Sequence, residues 1–420
     1  MADIAPVKDR AWLSECEYKL VTKMSEWEAW KVDAGDTVVL DLETTGLNPY
    51  KHMIVGVSLS KRESEAIYVP LRHPSNNYED VAGFIDELSL FFDGRTLLAY
   101  NAKFDINFLE TAGMKIPKYE DVMTSVYLMD CNLKAKGLKD MAKLILGIDM
   151  IRLDELFLTP EELAKKTRRK KDMDFSTISP DGKTKDYACS DADLTLRIHN
   201  HLESVREEQA IIYKMETKLV DVVRRMERNG VLLDADYLAR LVPEADKNAQ
   251  KCQKIIYDAV GYEFNLGSPK QVGPALEGLG FEVGRTEKGN PKTGKAELKR
   301  LGDHAVPKAI LKYREMVKAK GTYLVQLYHD AMQGRARFRF NQFAAPSGRF
   351  SSGKDKDSDI KVKRDADDGY AKVNVQSISS NASAEWVHGV EILERTTKED
   401  PETVLYKKTV LEIKEDLVEA

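Results

Sequence analysis

The sequence predicts an α/β domain followed by a mainly α-helical region, and three observations lead to this prediction. Short runs rich in β-branched and aliphatic residues occupy positions 37–42, 53–60 and 66–71, with turn-forming residues between them. An amphipathic helical pattern over 81–92 then precedes a fourth apolar run at 96–100. Helical patterns dominate the sequence that follows. Strands, then a strand–helix unit, then helices indicate a layered α/β domain at the amino-terminal end.

The predicted elements follow in a simple order. The first three strands form a meander, and Gly46-Leu-Asn-Pro49 supplies its first turn. The helix at 81–92 ends at Asp93-Gly94, a helix-stop signal. This order resembles that of a ribonuclease H-like α/β layer. The later helices are predicted at 104–111, 121–129 and 138–146 and from about 185 to 228.

Composition shifts divide the rest of the chain. The long predicted helix ends at the helix-end signal Arg228-Asn229-Gly230. We place the boundary between the first two parts of the chain inside this helix, near residue 205. The stretch 353–372 carries charges and almost nothing apolar, which predicts an exposed loop. A Gly/Lys-rich stretch at 284–294 is hairpin-like. The predicted ranges are an α/β domain at 1–205, a mainly helical region at 206–352, the charged loop at 353–372, and a remnant with an unassigned tail at 373–420.

Length and composition indicate a cytosolic protein with at least two domains. The chain has 420 residues, a formal net charge of -5, 42% hydrophobic and 32% charged residues. No apolar stretch approaches the roughly 20 residues of a membrane span, and no signal-peptide pattern opens the chain. Four cysteines without C-x-x-C spacing argue against a disulfide framework or a zinc site. We expect a cytoplasmic location, or the host cytoplasm for a phage protein.

Asp41 and Glu43 end the first predicted strand. Residues i and i+2 of a strand share one face, and two such carboxylates repel each other unless a cation lies between them. An exposed strand end with solvated acids would explain this motif alone more often than a metal site would.

Two further pairs of polar residues, each with an aspartate, are spaced so that both side chains lie on one face of a helix. Asn101 and Asp105 lie four residues apart at a strand-to-helix junction, where helix capping alone would explain the asparagine. Tyr187 and Asp191 have the same spacing on the long helix, whereas Asp193 lies on another face and is predicted to be solvated or salt-bridged. Each pair taken separately is more often structural. Together, in this order and context, they predict a metal-dependent nuclease that hydrolyses phosphodiesters with two divalent ions.

The three motifs resemble those of the DEDDy-type 3'-5' exonucleases, in the form found in family A DNA polymerases, which are DNA polymerase I-like. The matching segments are Asp41-Leu-Glu-Thr-Thr-Gly-Leu47, Asn101-x-x-x-Asp105 and Tyr187-x-x-x-Asp191. The resemblance implies that Asp41, Glu43 and Asp191 ligate one Mg²⁺ or Mn²⁺ ion, that Asp41 also contacts a second, and that Asp105 acts through water. It implies further that Tyr187 orients the attacking water. Leu47 would wedge against the terminal base, and Asn101 and Phe104 would line the cleft.

The second half resembles the thumb and the start of the palm of the same family. The segments that carry this resemblance are 225–234, 265–271, 313–323, 340–352 and 373–378. Lysines and arginines beside glycine, serine or threonine suit a close approach to phosphates. For any single lysine, a solvated surface charge is the more frequent explanation. The predicted primer–template contacts are Lys270, Lys318, Lys320 and Arg349.

The family's palm carboxylates and cationic finger helix are expected beyond residue 378, where this sequence has Ser379-Ser-Asn-Ala-Ser383 and an unfamiliar tail. We therefore expect a split or truncated, phage-type polymerase in which a second chain supplies the rest of palm and fingers. This chain alone is then not expected to polymerise DNA. Two alternatives stay open: a stand-alone exoribonuclease of the ribonuclease D type, which would lack the Ser-Gly-Arg-Phe-Ser-Ser segment, and a non-enzymatic DNA-binding subunit, against which the intact acidic motifs argue.

Overall fold

A six-stranded mixed sheet forms the centre of the first part of the chain. The computed structural model describes residues 10–165, 173–302, 304–332, 334–352 and 370–371. The predicted charged loop and tail therefore lie outside the described residues, apart from positions 370 and 371.

The chain divides into two units. The first comprises Met1–Arg228 and Arg339–Tyr370, and the second comprises Asn229–Phe338 and Ala371–Ala420. The domain ranges proposed from the sequence stay predictions.

The sheet has the order β1-β4-β3-β2-β5-β6. The central β2, β3 and β4 pair antiparallel, which confirms the predicted meander. The edge strand β1 pairs parallel with β4, and β2, β5 and β6 pair parallel in succession. The strands are β1 (Glu17–Leu20), β2 (Thr37–Thr44), β3 (Ile54–Arg62), β4 (Glu65–Pro70), β5 (Thr96–Ala99) and β6 (Lys118–Asp121).

The described residues of the first part of the chain contain ten α-helices, of which α8 packs across the sheet. The predicted helix at 138–146 is α-helical only at its start and continues as a π-helical turn over Ala142–Leu146. The long predicted helix is three successive helices. The helices are α1 (Met24–Lys31), α2 (Phe84–Phe91), α3 (Ala102–Thr111), α4 (Val122–Met129), α5 (Leu138–Met141), α6 (Asp154–Phe157), α7 (Pro160–Lys165), α8 (Lys183–His201), α9 (Glu203–Glu208) and α10 (Ala210–Asn229).

Alternation along β2 divides the core between the two faces of the sheet. Leu40 and Leu42 pack on one face, in a cluster with Trp27 and Phe84. Val39 packs on the other face, in the cluster that includes Ala188 of α8. Because side chains alternate along a strand, Asp41 and Glu43 project to the face that α8 covers.

Asp193 fixes α8 against the edge of the sheet. Its buried carboxylate forms an ion pair with Arg197 at 2.6 Å and accepts hydrogen bonds from the Tyr18 hydroxyl at 2.7 Å and the Ser64 N–H at 2.8 Å. The predicted salt bridge is therefore confirmed, although this carboxylate is buried.

The second unit is helical, in agreement with the predicted fold class. Its core lies where α11 and α14 pack around Ile256 and Ile310. The predicted hairpin-like stretch at 284–294 is also confirmed, since the Thr286 N–H donates to the Asn290 carbonyl at 2.8 Å. The helices are α11 (Ala235–Val260), α12 (Pro269–Gly278), α13 (Lys295–Arg300), α14 (Ala305–Lys318) and α15 (Val325–Met332), with a π-helical segment at Ala319–Leu324.

Short two-stranded pairs complete the described structure. In the second unit, Val231–Leu232 pairs antiparallel with Arg335–Ala336. In the first, Phe340–Asn341 pairs antiparallel with Ser351–Ser352. No helix in the described part of the chain is long and apolar enough to cross a membrane.

Candidate metal centre

Three carboxylates from two elements converge on the face of the sheet that α8 covers. Asp41 and Glu43 come from β2, and Asp191 comes from the middle of α8. One oxygen of each lies within 4.8 Å of the others. The local sequence explains this arrangement, because the i, i+2 spacing places two acids on one face of β2 while α8 packs across it.

Two backbone features lie next to Glu43. The pairing of β2 with β3 shifts register immediately after Glu43, as in a β-bulge. Gly56 lies opposite Glu43 on β3, and a Cβ at that position would lie 2.1 Å from the Tyr68 hydroxyl oxygen. The glycine therefore leaves the space in which the Tyr68 ring lies.

The electrostatics of the cluster favour a cation. Burial is the largest cause that raises the pKa of Asp41, Glu43 and Asp191 above their ordinary values. Neighbouring carboxylates raise the pKa of Asp41 and Glu43 further, whereas the ammonium of Lys139 acts in the opposite direction on all three groups. Glu43 and Asp191 are buried and Asp41 is half-buried, so ionising all three adjacent carboxyls is costly without a compensating positive charge.

The residues present fit a divalent metal ion. The Oδ1 atom of Asp191 is buried and has no hydrogen-bond partner among the described protein atoms. A buried carboxylate oxygen that lacks a partner is expected where a metal ligates it. All three groups offer oxygen, the donor that hard divalent cations prefer. The acidic cluster can therefore hold a divalent metal.

Asp105 lies beside this cluster but outside its closest group. It is 2% exposed in the first turn of α3, and its Oδ1 accepts a hydrogen bond from the Leu42 N–H at 3.1 Å. That amide lies between Asp41 and Glu43 in the chain. Charge on Asp105 is also the largest electrostatic cause of the raised pKa of Asp41, so the two carboxyls are near neighbours.

Tyr187 is buried one helical turn before Asp191. Its ring packs with Val55, Ile151 and Phe175, and the ring centroids of Tyr187 and Phe175 lie 5.6 Å apart. Its hydroxyl interacts with the Asp191 carboxylate, and this interaction lowers the pKa of the acid. The phenol is therefore held next to a candidate metal ligand.

The three predicted contacts to the 3' nucleotides occupy different surroundings. Leu47 is half-buried in the turn after β2, and Phe104 is half-buried with its ring 5.0 Å from that of Phe108. Asn101 precedes α3 with a left-handed backbone, at φ 63°, and its side chain makes no capping hydrogen bond. Capping therefore does not explain this asparagine. Their contacts to nucleic acid stay predictions.

The four predicted phosphate contacts are divided between the units. Lys270 is exposed in the first turn of α12, and Lys318 is exposed at the last residue of α14. Lys320 is half-buried and pairs with Asp246, with 2.6 Å between its Nζ and Oδ1. These three lie in the second unit, whereas Arg349 lies exposed in the first.

The sequence interpretation missed Asp121. Its buried carboxylate, at the end of β6, accepts hydrogen bonds from the N–H groups of Asn101, Ala102 and Met123 at 2.9 to 3.0 Å. One side chain thus caps both α3 and α4. The signal available in the sequence was an Asp immediately before a helical pattern, which is a good cap for one helix but does not reveal the second.

His73 and Tyr68 form a buried pair that the sequence interpretation also missed. His73 Nδ1 lies 2.8 Å from the Ile178 carbonyl oxygen, which can only accept, so this nitrogen carries the proton. Its Nε2 therefore accepts from the Tyr68 hydroxyl at 2.8 Å. Burial lowers the pKa of His73, in keeping with a neutral ring. The pair fixes the Tyr68 ring against Gly56, next to Glu43.

Lys139 was missed as well, and its ammonium lies over the ring of Tyr187, with 4.0 Å from Nζ to the ring centroid. Nothing in the local spacing links it to a tyrosine 48 positions further along the chain.

Comparisons with known proteins agree with the two-part architecture. Residues 18–207 match the family model for the 3'-5' exonuclease, and residues 235–368 match the model for DNA polymerase family A. DNA polymerase I of Pseudomonas aeruginosa is 33% identical over 362 residues, which cover 81% of this chain and 38% of that protein. DNA polymerase DpoZ of Vibrio phage phiVC8 is 26% identical over 361 residues, covering 79% and 54% respectively.

A solved structure gives the same fold. The POL domain of Pol1 from M. smegmatis, in complex with DNA primer-template and dNTP, matches with a TM-score of 0.60 at 18% identity. The match covers 80% of this chain and 54% of that one. The chain spans well under two thirds of the length of the relatives named here. With its exonuclease domain and part of the polymerase domain both matched, the chain belongs to the DNA polymerase I-like members of DNA polymerase family A.

Proposed function

We propose that this chain is a metal-dependent 3'-5' DNA exonuclease, the proofreading part of a family A polymerase. The observation that carries the proposal is the convergence of Asp41, Glu43 and Asp191 on one buried spot beside Tyr187. The match of residues 18–207 to the exonuclease model supports it independently. Its substrates are single-stranded or mispaired 3' ends, from which it releases nucleotide 5'-monophosphates.

Divalent ions bound by the carboxylates, two Mg²⁺ or Mn²⁺ in this proposal, would lower the pKa of a water molecule and stabilise the charge that builds on the phosphate. Asp41, Glu43 and Asp191 would hold one ion, Asp41 would also contact the second, and Asp105 would act through water. The Tyr187 hydroxyl orients the attacking water. Leu47, Asn101 and Phe104 hold the terminal nucleotides.

The test is cleavage of a 3'-labelled single-stranded DNA, with and without metal. Asp41→Ala should lower the rate by at least about 10²-fold, because a lost metal ligand removes several kcal/mol of transition-state stabilisation. Asp93→Ala changes an exposed carboxylate after α2 and is the matched control. Full activity in EDTA, or an undiminished Asp41→Ala rate, would contradict the proposal.

An RNA strand of the same sequence separates this proposal from an exoribonuclease of the ribonuclease D type. The match of residues 235–368 to DNA polymerase family A favours DNA. Faster cleavage of the RNA than of the DNA would favour the alternative. Counting bound Mn²⁺ by calorimetry in the presence of a nucleotide 5'-monophosphate tests the number of ions, for which we expect two.

The second unit and the segment around Arg349 are proposed to bind primer–template DNA through phosphates. A second chain that supplies the rest of palm and fingers stays a prediction from the sequence. Primer extension with the purified protein and dNTPs tests it, because nucleotidyl transfer needs palm carboxylates and a cationic triphosphate site. Extension by this protein without a second polypeptide would contradict that prediction.

A further inference from the structure

Lys139 is a charged side chain in the candidate metal centre to which neither the sequence motifs nor the catalytic roles proposed above give a role. It lies in the single helical turn α5, and its side chain is half-buried. Its Nζ donates a hydrogen bond to the Ile151 carbonyl at 2.6 Å and lies 4.0 Å from the centroid of the Tyr187 ring. An ammonium held by a carbonyl over an aromatic face has little freedom to leave.

The surroundings of this ammonium are acidic. Its charge acts on Asp41, Glu43 and Asp191 alike, and in each case it favours the ionised carboxyl. The Tyr187 ring under it is itself packed between Val55 and Phe175. Lys139 therefore touches the candidate water-orienting residue, which shares α8 with Asp191, and its charge acts on all three candidate metal ligands.

We propose that Lys139 is a positioning residue of the exonuclease site, which holds the Tyr187 ring and supplies a positive charge beside the acidic cluster. This inference rests on the proposed exonuclease function. The ammonium balances part of the carboxylate charge when metal is absent, and during the reaction it adds a fixed positive charge near the phosphate.

A positive charge at this place has two consequences of opposite direction. It repels an incoming divalent ion, so it weakens metal binding. The metal ion can displace a proton from the carboxyls, and Lys139 repels that proton too. Because the proton carries one charge and the metal ion carries two, Lys139 still weakens metal binding when no more than one proton is displaced. At the same time, the charge and the ring contact speed turnover at saturating metal. A residue with a merely structural role would not produce this opposite pair of effects.

The experiment compares Lys139→Met with wild type in the full chain at a fixed pH near 8. Mn²⁺ affinity is measured by calorimetry, and the rate of release from single-stranded DNA is measured at saturating Mn²⁺. The neutral variant should bind Mn²⁺ about tenfold more tightly, as expected for a nearby unit charge removed from a partly buried site. It should turn over about tenfold or more slowly, with KM for DNA changed less than kcat.

Three further variants control for the charge at position 139, for the loss of a nearby lysine and for a failure to fold. Lys139→Arg keeps the charge and the ability to lie over an aromatic ring, so both values should stay closer to wild type than those of the neutral variant. Lys143→Met neutralises an exposed lysine four residues further along and should change neither value. Lys139→Gln serves as a second neutral variant if the methionine variant does not fold, which thermal unfolding by circular dichroism checks.

The outcomes distinguish the role of Lys139 from the exonuclease function itself. Tighter metal binding with slower turnover supports the role of Lys139. Unchanged metal affinity, or an unchanged rate in both neutral variants, overturns it while leaving the exonuclease function intact. A wild-type protein that releases no nucleotide at any metal concentration overturns the exonuclease function itself, and the metal-affinity comparison still reports whether Lys139 faces the acidic cluster.

Discussion

At the scale of single residues, the site depends on what lies one helical turn before Asp191. Tyr187 and Asp191 share a face of α8, so the helix itself brings the phenol to the carboxylate. This pairing needs no long-range information, and the sequence was enough to predict it. Lys139 reaches the same spot from another element through tertiary packing, which spacing along the chain does not encode.

Tyr187→Phe should slow hydrolysis while it leaves metal affinity nearly unchanged. The variant loses one oriented hydrogen bond in the transition state, about 3 to 4 kcal/mol, which corresponds to roughly a 10²- to 10³-fold lower kcat. Single-turnover cleavage and Mn²⁺ calorimetry measure the two quantities. Tyr78→Phe removes a buried hydroxyl that donates to the sulfur of Met24 and should cleave at the wild-type rate. A wild-type rate for Tyr187→Phe would mean that this residue only packs.

Asp41→Asn should make the metal-free protein more stable. A carboxyl whose pKa is raised on folding contributes stability below its unfolded pKa, and that stability is lost as pH rises through the folded value. In EDTA, wild type should therefore be less stable at pH 8 than at pH 5, whereas the variant should lose less, by about 1 kcal/mol or more. Urea unfolding at both pH values measures this difference. In Mg²⁺, wild type should be more stable than Asp41→Asn, because the wild-type protein gains more stability from the bound metal. An equal pH dependence in both proteins would contradict the burial of charge at this site.

At the scale of elements, Asp121 couples two helices to one strand end. The three amides that it caps begin α3 and α4, and Asp105 lies in the first turn of α3. The position of a candidate site residue thus depends on a side chain that has no chemical role in the site.

Asp121→Ala should destabilise the first unit by about 1 to 4 kcal/mol, the sum of two lost helix caps at 0.5 to 2 kcal/mol each. Chemical denaturation followed by circular dichroism measures the change. Asp121→Asn keeps one side-chain acceptor and should lose less. Exonuclease rate should fall in the alanine variant even where it is fully folded, because the start of α3 carries Asp105. A folded alanine variant with wild-type stability and rate would show that water replaces the caps.

The elements that sequence patterns predicted are those with strong periodicity. The four apolar strands lie within two residues of their predicted ends, because buried central strands carry continuous aliphatic runs. The edge strands β1 and β6 were missed. Their sequences, Glu-Tyr-Lys-Leu and Lys-Tyr-Glu-Asp, are short and largely charged. Charged edge strands protect a sheet from pairing with other chains, and the same charges hide them from pattern analysis.

At the scale of the whole molecule, the basic residues proposed for DNA binding differ in how available their charge is. Lys270 and Lys318 are exposed, whereas Lys320 already pairs with Asp246. The sequence predicted all three lysines alike as phosphate contacts. It could not single out Lys320, because an ion pair between residues 74 positions apart leaves no local signal.

Affinity for primer–template DNA should fall as salt rises, with little dependence on DNA sequence. Lys270→Ala should reduce the log–log salt slope by about 0.9, the value for one lost phosphate contact. Lys320→Ala should reduce it less, because the Asp246 pair must first be broken. Fluorescence anisotropy over a salt series measures the slopes, and Lys254→Ala, which removes an exposed lysine paired with Asp258 within α11, is the control. Binding that does not change with salt would contradict phosphate recognition.

Glu227 joins segments that the family boundaries separate. This carboxylate at the end of α10 is 1% exposed, pairs with Lys103 of α3 at 2.7 Å, and accepts from the Phe340 N–H at 2.7 Å. Phe340 falls within the polymerase match, whereas Lys103 falls within the exonuclease match. A fragment cut at residue 207 would therefore lose the carboxylate that pairs with Lys103, together with the helix that carries it. A nuclease fragment that keeps this ion pair must extend at least to residue 227, into the segment that lies between the two family matches.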